Sequence, residues 1–468
     1  MWGGAIFAPM LLFYCTKLLK FEILYAIINI EISKITFFEN ICRKNGLIQL
    51  KDAYFVLLIG GNMSTPNKQP LYKLFHYDIE SYKKEYERRF NDENTIHLDI
   101  SVSGNPAFVC QTVDIYKTLL SIEKTDKKVN LLCSNLPKIA LEQFAQRCLI
   151  DEIVLTNNIE GIHSTRKEIK QVLSNLSKED KHKRFSGLVK KYNILMQGDN
   201  VDIDNCQSIR SIYNDIFYEE IKDSDPNNLP DGEYFRKNPV SVYSATGKEI
   251  HRGLSPEKEI IEVMEKALSF LKDDNINMLL RISIFHYLFG YIHPFYDGNG
   301  RTSRFISSAL LAKELNYLIG YRISYTIKEN ISEYYKSFDI CNSNKNRGDL
   351  TPFVEMFLNI IDISEKQLCE ALEKRNNMLR HYRTLIETLP ASEDNDIFDL
   401  YNYLIQAALF ANDGISTGEL MNYLDMSYNT LRKKLKILPS ELLIKSKQGN
   451  NCLYRLDLDK IDEQIIKK

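Results

Sequence analysis

The sequence predicts a mainly α protein: a helical bundle that carries one β-hairpin, followed by a C-terminal helix-turn-helix with a hairpin of its own. Three observations predict it. Apolar residues recur at helical spacing through most of residues 137–372. Within that stretch, residues 233–253 alternate on both sides of the turn Ala245-Thr246-Gly247-Lys248, as a hairpin does. Beyond an acidic, proline-containing break at 387–396, two short helical segments separated by Asp425-Met426-Ser427 precede alternating residues around Gln448-Gly449-Asn450.

With 468 residues, 44% hydrophobic and 26% charged, the chain has globular composition and length for two or three units. A formal net charge of -2 gives no global attraction to nucleic acid or membrane, so such binding needs a local patch. Nine cysteines are scattered with no C-x-x-C pair, which implies reduced thiols in a cytoplasmic compartment and no zinc site.

In chain order, residues 1–62 form an apolar leader broken by Lys17, Lys20 and Glu22, too interrupted for a clean span of about twenty residues. Membrane association through residues 1–30 is one reading; a mis-assigned start, with Met63 opening the polar stretch Ser64-Thr65-Pro66, is preferred. Residues 96–100 alternate like a strand, and Ser103-Gly104-Asn105-Pro106 reads as a turn. Ala140, Phe144 and Cys148 beside Leu141, Ala145, Leu149 and Ile153 mark a helix over 137–160, ended by Gly161. Thr165-Arg166-Lys167-Glu168 has capping-box spacing for the next helix, 168–176. Further helices are expected at 256–271, 275–291, 300–315 and 351–372. His286 sits in an apolar run and reads as a core histidine.

Between the helices at 275–291 and 300–315 stands His293-Pro294-Phe295-Tyr296-Asp297-Gly298-Asn299-Gly300-Arg301-Thr302-Ser303-Arg304. Gly298 and Gly300 around Asn299, at a helix start, let backbone N–H groups converge on a phosphate. Arg301 and Arg304, three apart, are placed to grip further phosphate oxygens. Asp297 is the hard oxygen ligand Mg²⁺ prefers, and His293 is the one group here able to act as a base near neutral pH. Phe295 is expected to anchor the loop in the core.

The stretch resembles the signature of the Fic family, His-x-Phe-x-(Asp/Glu)-Gly-Asn-Gly-Arg-x-x-Arg, and matches every fixed position. Thr156-Asn157-Asn158-Ile159-Glu160-Gly161 resembles the family's inhibitory motif, (Ser/Thr)-x-x-x-Glu-(Gly/Asn), lying upstream as in its class II members. The resemblance implies a Fic-type bundle whose hairpin is a target-aligning flap, and a protein adenylyltransferase moving AMP from ATP to a Ser, Thr or Tyr hydroxyl, with Mg²⁺. Related Doc toxins, which transfer phosphoryl groups, carry a lysine where this chain has Gly300. It further implies that Glu160 pairs with Arg304 to hold ATP unproductively, and that Tyr335 and Asn342 line the adenosine pocket. The protein target is unspecified and includes the chain itself. AMP removal at the same site, and a nucleotide-sensing DNA-binding regulator, are the alternatives; oligomeric state is open.

The C-terminal module resembles a winged helix, with Arg432, Lys433, Lys434 and Lys436 on its second helix, and DNA or a protein surface are equally its expected partners. The expected organisation is a leader at 1–62, an N-terminal region at 63–175 ending in the inhibitory helix, a catalytic core at 176–386, a linker at 387–396 and the winged-helix-like unit at 397–468.

Overall fold

The computed structural model describes residues 69–176, 184–198, 201–243, 249–448 and 451–466. The apolar leader, the start at Met63 and the expected 245–248 turn lie outside them.

Helices α1 (Leu71–Tyr77) and α2 (Ile79–Phe90) lead into an antiparallel hairpin of β1 (Thr95–Val102) and β2 (Asn105–Cys110). The turn between them is Ser103-Gly104, both at positive φ, and the strand extends beyond the expected 96–100 because Val102 continues the buried alternation of Ile96, Leu98 and Ile100. Two long helices follow, α3 (Val113–Ser134) and α4 (Lys138–Ile159), then α5 (Arg166–Ser174), α6 (Ser186–Gln197) and α7 (Cys206–Ser224). The Thr165 hydroxyl accepts from the Glu168 N–H, the threonine half of the expected capping box, and the helix it caps starts at Arg166 rather than at 168.

The expected hairpin forms with shorter strands, β3 (Ser241–Tyr243) and β4 (Glu249–Arg252). Phe235 and Arg236, which the alternation would have placed in the strand, are instead fully buried in the approach to it. Helix α8 (Glu257–Leu271) leads to α9 (Met278–Ile292), in which every residue from Leu279 to Ile292 except Gly290 is buried. A helix apolar on all sides belongs in the middle of a bundle, and α8, α10 (Asn299–Glu314) and α13 (Thr351–Ile386) pack around it. Helices α11 (Ile323–Glu329) and α12 (Ile331–Asn342) lie between the last two in sequence. At about 1.5 Å per residue, the 36-residue α13 is about 54 Å long. It packs on α3, α9, α12 and the C-terminal α14 (Asn395–Phe410).

The C-terminal elements are α14, β5 (Ile415–Ser416), α15 (Thr417–Leu424), α16 (Tyr428–Ile437), β6 (Leu443–Gln448), β7 (Asn451–Leu456) and α17 (Leu458–Ile466), with an antiparallel sheet ordered β5-β7-β6. Ser416 and Glu419 close a capping box on α15. Of the four cations on α16, Lys434 is bound to Asp394 and Asp396 at the start of α14. The N-terminal half of α4 rests on α14, where Phe144 meets Phe410 edge-on. Among the described residues no helix is long and apolar enough to cross a membrane.

Candidate functional site

Helix α9 ends at His293, whose N–H reaches Phe289 O at 3.0 Å and whose backbone is left-handed (φ 52°, ψ 61°). A non-glycine residue rarely rests there, so its surroundings must hold it. The His293 carbonyl accepts from Arg236 Nε at 3.0 Å. Two residues on, the Phe295 ring is fully buried and stacks on Tyr213 of α7 with centroids 3.7 Å apart, the anchor expected of it. Asn299 then clamps the loop: its Oδ1 accepts from Phe295 N–H at 2.9 Å and its Nδ2 donates to Phe295 O at 2.7 Å. Gly298 (φ 79°) turns the chain into α10, and both the N–H and the hydroxyl of Thr302 donate to Gly298 O. The amides of Asn299, Gly300 and Arg301 come before that first intrahelical bond, at the positive end of the helix dipole.

The carboxylate of Glu160, at the C-terminal end of α4, faces that helix start. Its Oε1 accepts from Arg304 Nη2 at 2.6 Å, with the arginine side chain 1% and the glutamate 32% exposed. Thr156, one turn earlier on α4, accepts from Arg304 Nε through its hydroxyl at 2.8 Å and from Nη2 through its carbonyl at 3.1 Å. Burial is the largest influence on Arg304 and opposes its charge, but the Glu160 carboxylate together with Tyr334 and Tyr335 outweighs it and the guanidinium's pKa is raised. A Cβ at position 300 would collide with Glu160 Oε1, so glycine here leaves the carboxylate room to sit against the start of α10.

Arg301 departs from expectation. Its guanidinium does not turn to the loop mouth beside Arg304; it is buried over the Phe217 ring at 4.4 Å and donates to Glu220 Oε1 at 2.6 Å. Successive residues on the first turn of α10 diverge, and α7 offers Tyr213, Phe217 and Glu220 at i, i+4 and i+7 as one stripe beneath the loop. Asn299 also departs from a ligand role for its side chain, since both polar ends are used on Phe295; only its backbone amide faces outward chemistry.

Asp297 is exposed at the mouth, with Oδ1 accepting from the Gly298 N–H. Among the described residues no group of three or more His, Cys, Asp or Glu is arranged to hold a metal ion. Tyr335 on α12 is 48% exposed, yet its hydroxyl pKa is raised, by burial first and then by the Glu160 charge, which puts it beside the Glu160–Arg304 pair. Asn342, at the end of α12, accepts from Tyr287 Oη at 2.7 Å through Oδ1, and its main-chain carbonyl accepts from Ser103 Oγ at 2.6 Å. His293 is half-buried and its pKa is pushed down to about 4, first by burial and then by the charges of His251 and Arg236, so it is neutral at pH 7 with a lone pair to offer. His286 is the core histidine its setting implied, bonded to Ser307 Oγ at 2.7 Å and Tyr334 Oη at 2.8 Å and held neutral by burial.

Glu220, Tyr213, Phe217 and Arg236 were missed by sequence reasoning. The first three carried a signal, their common helical face; Arg236 carried none.

Residues 205–311 match the family model described as Fic/DOC family. Proteins named Protein adenylyltransferase Fic are similar to this chain: that of Drosophila grimshawi is 25% identical over 324 residues, covering 66% of this chain and 62% of its own length. That of Drosophila melanogaster is 30% identical over 158 residues, 34% of this chain and 29% of its own. The chain thus spans less than two thirds of the length of these relatives. A solved Fic family protein from Desulfovibrio desulfuricans G20 superposes with a TM-score of 0.45 at 20% identity, covering 74% of this chain and 96% of that one.

Proposed function

We propose, for a chain that carries a Fic/DOC family domain over residues 205–311, that it transfers AMP from ATP to a Ser, Thr or Tyr hydroxyl of a protein and that Glu160 restrains the reaction. The observation that carries this reading is the 2.6 Å pair of Glu160 and Arg304 at the free amides of a helix start: a site built for an anion, filled by the chain's own carboxylate. The names of the fly relatives support the reaction class.

In this reading His293 takes the proton of the target hydroxyl, whose oxygen attacks the α-phosphorus while the bond to the β-phosphate breaks and pyrophosphate leaves. The backbone amides of Asn299 and Gly300 in the turn set by Gly298 stabilise the charge that develops. Arg304, once released by Glu160, binds the outer phosphates, and Arg301 keeps the loop fixed through Glu220. Tyr335 and Asn342 line the adenosine side. Asp297 would hold Mg²⁺; one exposed carboxylate completed by substrate phosphates is how that ion is commonly bound, and it would neutralise phosphate charge.

We take 176–386 as the catalytic core, 63–175 as the region that supplies restraint, and 397–468, joined through 387–396, as a winged-helix-like unit that binds DNA or protein. Scattered cysteines, free of disulfides among the described residues, support a reducing, cytoplasmic setting.

The test is incubation of wild type, Glu160→Gly and His293→Ala with Mg²⁺ and ATP, followed by intact-mass analysis. An added AMP in the Glu160→Gly form, weaker in wild type and absent without His293, is expected. No adduct in any form would replace this reading with AMP removal or with the nucleotide-sensing DNA-binding regulator.

A further inference from the structure

We propose that Arg236 is a positioning residue for the reaction: it fixes His293 and both arms of the β3–β4 hairpin to one another, so that a target segment laid along the hairpin meets the base in a single register. The inference rests on the proposed AMP transfer.

Arg236 is fully buried. Its three nitrogens donate to three backbone carbonyls in three segments: Nε to His293 O at 3.0 Å, Nη1 to Asn238 O at 2.7 Å on the way into β3, and Nη2 to Leu254 O at 2.8 Å on the way out of β4. Its own N–H donates to Pro294 O at 3.2 Å. None of these partners is a carboxylate, and burial lowers its pKa. A buried cation without a counter-charge is costly, and an aliphatic side chain would fill the space at lower cost. What the guanidinium alone supplies is a rigid planar fork reaching three carbonyls at fixed angles.

The neighbours point the same way. The strained left-handed turn at His293 is the segment whose carbonyl the fork takes. Gly253, directly after β4, has no room for a side chain: its Cβ would collide with Arg236 Nη2 and stand 2.9 Å from His293 Cβ. Asn238 N–H donates to Tyr296 Oη at 3.0 Å, and Phe235 packs on Phe295. On the other arm, His251 Nε2 meets Tyr291 O at 2.6 Å. Hairpin and catalytic turn therefore form one body, with Arg236 at its centre.

The charged or titratable groups acting on the His293 ring are His251, Arg236 and Glu160. Removing the Arg236 charge relieves repulsion of an imidazolium, so the histidine's pKa rises; keeping the charge but losing the fork leaves it in place. The experiment uses the full chain with Glu160→Gly as parent, compared with Arg236→Lys, Arg236→Gln and Gly253→Ala, each with its Tm. Histidine-labelled NMR reads the titration of His293, assigned by its loss in His293→Ala. ATP with an α-phosphate label reads AMP incorporation.

Arg236→Gln is expected to raise the His293 pKa by about one unit. Arg236→Lys and Gly253→Ala are expected to leave it in place, yet lower turnover at saturating ATP by about 100-fold, with the KM for ATP within about twofold of the parent. Unchanged turnover in Arg236→Lys and Gly253→Ala overturns the proposal, as does a turnover loss that merely follows a fall in Tm. If the parent incorporates no AMP, the functional reading fails, while the His293 titration in Arg236→Gln still decides whether Arg236 acts on that histidine: a shift supports it, and none overturns it.

Discussion

Replacing Glu160 tests the proposed restraint quantitatively. The contact to be broken is one charge-assisted hydrogen bond of 2.6 Å between a buried guanidinium and a carboxylate 32% exposed. Hydrogen bonds to charged groups contribute about 1.5–3 kcal/mol, and partial solvation of the glutamate places this one near the lower end, about 1.5–2 kcal/mol. If a phosphate must displace the carboxylate from Arg304, Glu160→Gly should raise AMP incorporation at sub-saturating ATP by roughly 10- to 30-fold. Glu160→Gln keeps a neutral hydrogen bond and should give roughly a fifth of that gain. Thr156→Val should not activate at all, because it strips the partner from Arg304 Nε and leaves a buried donor unsatisfied. The assay is the initial rate with α-labelled ATP, alongside ATP affinity by calorimetry. Equal rates for wild type, Glu160→Gln and Glu160→Gly would refute the competition, and activation by Thr156→Val would show that the arginine needs freedom rather than a vacant partner.

Other outcomes follow from groups further in. Glu220→Ala should cost about 3 kcal/mol in urea unfolding, because it leaves the Arg301 guanidinium buried without its carboxylate; a loss under about 1 kcal/mol would contradict the role given to that pair. His286 and His293 are pushed down to about 3 and about 4 by burial, below the ordinary histidine value. The unfolded chain therefore binds more protons just below pH 6.5, and stability should fall between pH 6.5 and 4 with a slope of up to about 1.4 kcal/mol per pH unit for each site, a slope that His286→Asn reduces in pH-resolved thermal melts. Glu365 on α13 is wholly buried with neither oxygen hydrogen-bonded, and burial raises its pKa to about 8. The native state holds that proton between the ordinary carboxylate range and pH 8, so stability declines as pH rises through this window; Glu365→Gln should raise Tm at pH 8.5 more than at pH 5.5.

The parts of the site that were legible in the sequence are those set by local spacing. Thr156 and Glu160 share one face of α4, and both do meet Arg304; Gly298 at the turn into α10 and the capping threonine before α5 were also legible, because each answers a backbone need within a few residues. Arg301 and Asn299 were misplaced for the opposite reason. Spacing says where a side chain leaves the helix, while its partner is chosen by packing: Glu220 lies 81 residues away, and the polar ends of Asn299 are consumed by the loop it belongs to. Arg236 lay in an alternating stretch and looked like an ordinary strand residue. Nothing local distinguishes an arginine that will be surrounded by three carbonyls from one that will face water.

Arg304 reaches the site already anchored along its length, with Thr156 holding Nε by its hydroxyl and Nη2 by its carbonyl, two contacts separate from the one to Glu160. A free arginine side chain carries about 2 kcal/mol of rotamer entropy that a ligand must overcome on binding. Here most of that freedom was surrendered when the chain folded, through a residue of the same helix that carries the restraining carboxylate. Exchange of one oxygen anion for another at a stationary guanidinium then needs no conformational search. Under the proposed restraint, the speed of release is then set by how fast the end of α4 moves its glutamate aside.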